Sequence, residues 1–447
     1  METPLNTTPR SNRVAKAWGL ANERVLKFSD ASSSPSFITP APNGSIHNIF
    51  RRNAAELLQP TISEYSSVSA SANIAKHMRL TLALDGPGMP TDPFSVPISW
   101  SSGNHIAIVC DDSVYYQNLN TRGVSRLYRS YRGDLHTIQW AGPFKSNLIA
   151  VGTKVGRVTL VDAVSKHATC LWPDYKSTSV GGMDWSDDIL AVGRASGKIS
   201  VFDSRQKGEA YGLYAGHDGH VHGVKWREDG IYLATGDEDG TVQVWDVRTG
   251  SKALGGAEKG RKMRHQGPVK VDESPPSLKC IDNVFSCQAL AWCPWKSDLV
   301  ATGSVFPEGT IRIWSTLSTS SIPTPLHTIH LNTSVTSLHW SPHCKELLST
   351  HGSTWSLSPT PTIPRGPLKT IPSLLANTVT VHAYPSCQRL VSVPSHLGSV
   401  THSCLSPDGT SVFTASPWDE SMKMWKIWGK REDMSKRESV FDKFAIR

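Results

Sequence analysis

Four stretches of the chain share one pattern of polar and apolar positions: a turn glycine, alternating residues, then a large residue followed by a polar one. They are Gly156-Arg-Val-Thr-Leu-Val161-Asp162, Gly197-Lys-Ile-Ser-Val-Phe202-Asp203, Gly240-Thr-Val-Gln-Val-Trp245-Asp246 and Gly309-Thr-Ile-Arg-Ile-Trp314-Ser315. Alternation with period two puts successive side chains on opposite faces of a half-buried β-strand. Weaker copies are Ser113-Val-Tyr-Tyr-Gln117, Thr378-Val-Thr-Val-His382 and Ser421-Met-Lys-Met-Trp425, so the large residue recurs at 117, 161, 202, 245, 314, 382 and 425, in steps of 44, 41, 43, 69, 68 and 43. A second marker, an apolar-x-Trp strand opening each unit, falls at Trp100, Trp140, Trp185, Trp226, Trp292, Trp340 and, with Leu in place of Trp, Leu405.

The two series agree on seven units. A base period of about 40–45 residues is that of WD-type blades, and one such sheet cannot bury both faces alone, so the expected fold is all-β: a seven-bladed WD-repeat β-propeller. Closing the ring leaves only short sheet edges. The best unit carries His217, Thr235, Asp239 and Trp245, the residue types that such blades join in a buried hydrogen-bond chain, so His217 and Asp239 are scaffold rather than a catalytic dyad. The two long steps mark insertions. Residues 250–283 hold Gly255-Gly256, the basic run Lys259-Gly-Arg-Lys-Met-Arg264 and Pro275-Pro276, and residues 353–375 are dense in Ser, Thr and Pro; both are expected as surface loops.

The propeller is expected over 82–429, between an arm at 1–81 and a tail at 430–447. The arm is rich in Ser, Pro, Asn and Thr and is expected to be mostly disordered, with proline-directed sites at Thr3, Thr8, Ser34 and Thr39 where phosphorylation would add charge. Two amphipathic pieces stand out in it: Val14 to Phe28, and a helix capped by Ser45 with Ile46, Ile49, Phe50, Ala54, Leu57 and Leu58 on one face. Such segments dock on a partner or on their own domain.

Composition adds exclusions. The chain has 447 residues, 46 Lys plus Arg against 38 Asp plus Glu, a net charge of +8 and no block of five basic residues, so neither nucleic acid nor a membrane surface is expected as a partner. No run of eighteen apolar residues occurs, and Met1 to Arg10 leads into no apolar signal core, which argues against membrane spanning and secretion. Eight cysteines lie apart without a C-x-x-C pair, so neither zinc nor a disulfide framework is expected. No G-x-S-x-G, H-E-x-x-H or phosphate-binding loop is present, and the adjacent Asp419 and Glu420 would point to opposite faces of a strand end. No catalytic residue, metal or cofactor is therefore expected. A propeller rim is chiefly a rigid binding platform.

Several stretches go beyond a generic repeat. Gln288-Ala-Leu-Ala-Trp-Cys-Pro-Trp-Lys-Ser-Asp-Leu-Val-Ala-Thr-Gly303 and Ser334-Val-Thr-Ser-Leu-His-Trp-Ser-Pro-His-Cys-Lys-Glu-Leu-Leu-Ser-Thr-His-Gly352 resemble the fifth and sixth blades of the fizzy and fizzy-related family, and Leu84-Asp85 with Ile98-Ser-Trp-Ser101 resembles its entry into blade one. These proteins are the substrate-recruiting activators of the anaphase-promoting complex/cyclosome. The resemblance runs from about Leu82 to Trp428. It implies a non-enzymatic adaptor that presents degrons of cell-cycle proteins such as cyclins to that ubiquitin ligase, with ligase subunits, checkpoint proteins and degron-bearing substrates as partners, in nucleus and cytoplasm. It also implies that Asp111 and Glu420 hold the Arg of a destruction-box degron, and that the terminal Ile446-Arg447 docks on the ligase.

Departures mark a divergent member, with mitotic, G1 and meiotic roles all open. The family's Asp-Arg-aromatic-Ile-Pro box is absent from the arm, although Trp18 to Phe28 resembles the segment that follows it; a shortened start and a different mode of engagement both fit. Glu238, Gly240, Phe306 and Ser399 stand where the family mostly has Asn, Asn, Thr and Arg, which implies altered recognition of Lys-Glu-Asn degrons. The alternative reading is a WD scaffold for a protein or ribonucleoprotein assembly without degron recognition, which would need neither the acidic pair nor the tail.

Overall fold

A computed structural model describes residues 68–77, 80–172, 178–206, 212–215, 217–247, 261–264, 286–317, 324–352, 354–357, 368–370 and 373–430. Seven four-stranded antiparallel sheets form the blades, at 98–129, 135–172, 180–215, 221–264, 289–330, 335–394 and, for the seventh, 402–426 joined by Leu80–Asp85. Every member of the large-residue series lies on the third strand of its blade, and every member of the apolar-x-Trp series on the innermost strand. The last blade takes its outer strand from the start of the chain. Leu80–Asp85 pairs with Ser421–Lys426, with Leu84 opposite Met422 and Asp85 opposite Ser421, and so closes the ring.

The tryptophan marker has a physical reason. The Trp185 indole donates to the carbonyl of Gln139 at 3.3 Å, Trp292 to Lys225 at 3.0 Å and Trp340 to Ala291 at 3.2 Å. In each case the acceptor immediately precedes the tryptophan of the previous blade, so the rings stitch neighbouring blades while burying apolar area. Leu405 lacks this donor, and there His339 and Ser403 bond at 2.9 Å instead. Blades approach closely enough that a side chain at Gly181 would sit 2.0 Å from the Val221 carbonyl.

The buried chain of blade four differs from its expected form in one residue. His217 bonds Thr235 and Asp237, both at 2.7 Å, and the Trp245 indole donates to Thr235 at 2.9 Å. A carboxylate only accepts and an indole N–H only donates, so His217 presents Nδ1–H to Asp237 while the Thr235 hydroxyl accepts from Trp245. The acid is Asp237 rather than Asp239: Thr235 and Asp237 share one face of a strand that ends at Asp237, and Asp239 lies beyond it in the turn. Blade seven repeats the device with His396, Asp419, Thr414 and Trp425.

Two further expectations are corrected, and the arm, expected as mostly disordered, gains one ordered element. Arg261–Arg264, expected within a loop, is the outer strand of blade four, paired with Thr241–Asp246. Within 353–375, Trp355–Leu357 and Leu368–Thr370 form a two-stranded hairpin rather than a plain loop. The arm is ordered at its end, where Ala70–His77 is a helix (α1) that buries Ala70 and Ile74 against Val393, Trp425 and Trp428. Its cap comes from far along the sequence. Glu346, buried at the start of a blade-six strand, accepts from the Ser69 hydroxyl at 2.6 Å, the Ala70 amide at 3.0 Å and the Trp428 indole at 2.8 Å. No helix among the described residues is long and apolar enough to cross a membrane.

Inside the ring lies a cavity of about 690 Å³ lined by the innermost strands, including Met183, Lys225, Trp226, His339 and His402. The linker between blades seven and one lies against residues of other innermost strands: Phe94 stacks on His222 at 4.0 Å, and Asp92 bonds His136 at 3.3 Å. Burial holds several imidazoles well below their ordinary value, His222, His351 and His402 down to about 3 and His339 and His382 to about 4. Neighbouring cations add to this: Lys225 beside His339 and His402, and Arg389 beside His382. With native values depressed, the unfolded chain binds these protons first. The stabilisation is therefore complete above about pH 6.5 and is lost as pH falls toward the folded values, each such group adding about 1.4 kcal/mol of slope per pH unit. Urea midpoints should fall steadily from pH 7 to pH 5; a flat profile over that range would show that these histidines are not buried neutral.

Candidate functional site

Asp111 and Glu420 occupy equivalent turns between the second and third strands of blades one and seven. In an antiparallel blade these turns share a face with the connections between blades, so both project onto one side of the ring. The linker after the closing strand binds both turns. The Gly86 amide donates to the Glu420 carbonyl at 2.7 Å, and the Asp111 amide donates to the Gly88 carbonyl at 2.8 Å. Gly88 has φ +69°, and a Cβ there would meet the Asp111 carboxylate at 2.3 Å, so glycine is what lets that carboxylate lie against the linker.

Both carboxylates bear on one buried group, the Cys110 thiol. Burial first, then the charges of Asp111 and Glu420, push it well above the ordinary thiol value, so it stays an unreactive thiol. Beneath them blades seven and one share a core of Leu84, Ile106, Ile108, Phe413 and Met422, with Leu82, Tyr115 and Met424 partly buried against it. The adjoining acid, Asp112, is engaged within its own blade: Arg129 donates to it at 2.7 Å, and it is held below the usual carboxylate range by hydrogen bonds from Ser113 and Arg129. Asp111 is exposed and Glu420 half-buried. The arrangement offers two carboxylates above an apolar inter-blade seam, a geometry that suits a guanidinium followed by an aliphatic side chain.

The other expected positions separate clearly. Asp419 is buried in the blade-seven hydrogen-bond chain, away from any acid–base role beside Glu420. Glu238 accepts from the His220 amide at 3.0 Å, Gly240 holds a left-handed turn, the Phe306 amide donates to Ser334 at 2.9 Å, and Ser399 lies near Gly352. Ile446 and Arg447, Val14 to Phe28, and the Ser45 helix lie outside the described residues. Among the described residues no group of three or more His, Cys, Asp or Glu is placed to hold a metal ion. The linker glycines were not singled out from the sequence, although Gly86-Pro-Gly88 right after a strand is a turn signal.

A closed ring of seven WD blades defines a class of rigid propeller platforms. The CDC20/Fizzy WD40 domain family matches residues 84–425, and the chain belongs to that family. It is 30% identical to the WD repeat-containing protein slp1 of Schizosaccharomyces pombe over 422 residues, covering 94% of this chain and 72% of that protein. It is 27% identical to Cell division cycle 20.1, cofactor of APC complex, of Arabidopsis thaliana, covering 95% and 80%. Among solved structures, a chain of the Mitotic Checkpoint Complex crystal structure superposes with a TM-score of 0.64 at 28% identity, over 78% of this chain and 96% of that one.

Both candidate acids stand in the left-handed region, Asp111 at φ +51° and Glu420 at +46°, which costs an L-residue roughly 1–2 kcal/mol. Strain of this kind collects where a side chain must be aimed. Replacing Glu420 by Gly should leave stability unchanged or raise it by up to about 1 kcal/mol, whereas Glu420→Val should lower it by at least ~1 kcal/mol. Equal urea midpoints for the two variants would refute the strained turn.

Proposed function

We propose that this chain is a non-enzymatic activator of the anaphase-promoting complex ubiquitin ligase that captures degrons on its propeller and presents them for ubiquitin transfer. The observation that carries the reading is the family match, which spans the whole ring from the closing strand to blade seven. Relatives named as cofactors or activators of that complex in plant and yeast support it, as does the likeness to a checkpoint-complex chain, which adds checkpoint proteins to the partners. Nucleus and cytoplasm are the compartments that such a role requires.

In this reading Asp111 and Glu420 receive the degron arginine, and Leu82, Tyr115 and Met424 receive the leucine that follows. Truncating one partner of a desolvated charge pair costs about 2–5 kcal/mol of binding, whereas a solvated turn acid contributes under ~1. Asp111→Ala and Glu420→Ala should each weaken an Arg-x-x-Leu peptide at least tenfold by titration, with unchanged thermal unfolding, and Lys in place of the peptide arginine should bind less well. Wild-type affinity in both variants would remove the seam as the degron site.

The tail supplies the second contact. Ile446-Arg447 on a tether leaving the ring at Lys430 raises the local concentration of a weak anchor near its groove on the ligase. Deleting both residues should lower recovery of the ligase in a pull-down from cell extract, and undiminished recovery would overturn the anchor.

A further inference from the structure

Blades five and six meet in an aromatic seam on the side of the ring opposite Asp111 and Glu420. Trp295 and Lys345 stand on the connections between the first and second strands of these two blades, Tyr384 follows the third strand of blade six, and His327 opens the outer strand of blade five. In antiparallel blades all these positions share one side. Trp295 and Tyr384 lie 5.4 Å apart, Tyr384 and His327 5.6 Å apart, and the Lys345 ammonium sits 5.9 Å over the Trp295 ring. The three rings are half-buried, Leu326 is exposed at their outer edge, and Lys345 is exposed beside them. The seam is a row, basic at Lys345 and then aromatic from Trp295 through Tyr384 to His327.

The described part of the arm begins next to this row. The Val68 carbonyl accepts from the Gly429 amide at 3.1 Å and lies 4.0 Å from the sulfur of Cys344, the residue before Lys345. Just upstream, Pro60-Thr-Ile-Ser-Glu64 alternates, so in an extended chain Pro60, Ile62 and Glu64 share one face. Glu64 is the sole charged residue of 58–67. We propose that residues 60–64 of this chain's own arm lie along the seam between blades five and six, with Glu64 at Lys345, Ile62 on Trp295 and Tyr384, and Pro60 on Tyr384 and His327. Reach agrees with this order. Four residues separate Glu64 from Val68, roughly 13 Å of extended chain, and Lys345 adjoins the Cys344 contact of Val68. Alternate residues of an extended chain are about 7 Å apart, close to the ring-to-ring steps of 5.4 and 5.6 Å. Proline against aromatic rings is the contact used by grooves that bind polyproline-type segments. Because Val68 is already fixed to the ring, the short tether gives the segment a high effective concentration, and a contact too weak to hold a free peptide suffices. The arm thereby leaves the ring at blade five.

The test is hydroxyl-radical footprinting of the full chain, with oxidation of Trp295 and Tyr384 read by mass spectrometry. Ile62→Asp, which sets a charge against the rings, should raise oxidation of both at least about threefold, and Glu64→Lys about twofold. Both substitutions lie in the arm and leave the ring's own residues untouched. Combining Glu64→Lys with Lys345→Glu should return oxidation to the wild-type level, a rescue that a general loosening of the ring would not produce. Dilution of the wild-type chain by about tenfold should leave the protection unchanged, as an intramolecular contact requires. Equal oxidation in the wild type and both arm variants overturns the docking, and a charge swap that fails to restore protection overturns the register. Protection lost on dilution assigns the seam to a second copy of the chain and overturns its occupation by the chain's own arm.

Discussion

The antiparallel pairing of Leu80–Asp85 with Ser421–Lys426 is the contact on which the rest of the structure depends. A repeat protein gains stability from neighbours on both sides of each unit, so an open ring would leave two blades half-buried and two sheet edges exposed. Because the closing strand comes from the other end of the chain, no local propensity can form it; the ring must be nearly assembled first. Its register then positions two things at once. At the Asp85 end the chain turns through Gly86 and Gly88 and binds both acidic turns, and ahead of Leu80 it has already passed through α1 and the buried carboxylate of Glu346.

That carboxylate is tolerable in the core because three donors converge on it from two distant parts of the chain, Ser69 and Ala70 on one side and Trp428 on the other. The Gly429 amide also bonds the Val68 carbonyl at 3.1 Å, so the arm enters and the tail leaves the ring at one place. A buried ionised group without such partners would cost several kcal/mol. The same reasoning covers Asp237 and Asp419, each hydrogen-bonded by an imidazole of its own blade, His217 and His396. Glu346 differs from both in joining elements distant in sequence, whereas they tie strands of one blade.

Legibility in the sequence follows from how local each interaction is. Blade count was readable because period-two alternation and the inward tryptophans, six with Leu405 in the seventh place, are local and recur blade after blade. The outer strand Arg261–Arg264 was not, since Lys259 to Arg264 shows no alternation and its strand character comes from the exposed edge of Thr241–Asp246. Asp239 was expected in place of Asp237 because the two acids look alike in sequence, and only the end of the strand at Asp237, with Asp239 in the turn beyond, separates them. Glu346 carried no signal: its partners lie 276 residues before it and 82 after. Asp111 and Glu420 were singled out by resemblance alone, and nothing in spacing or composition distinguishes them from other turn acids.

What distinguishes them physically is the conjunction of backbone and surroundings. A turn acid that only satisfies local amides, as Asp162 does for Val164 and Ser165, stays in ordinary backbone and spends its lone pairs on its own loop. Asp111 and Glu420 instead sit in left-handed turns, have their main chains tied to one linker, and stand over a shared apolar seam with a buried thiol between them. Two acidic side chains on one inter-blade seam give that face a chemistry that a cationic side chain complements and an uncharged one does not. Ring closure, which joins blades seven and one, is what brings the two acids over a single seam.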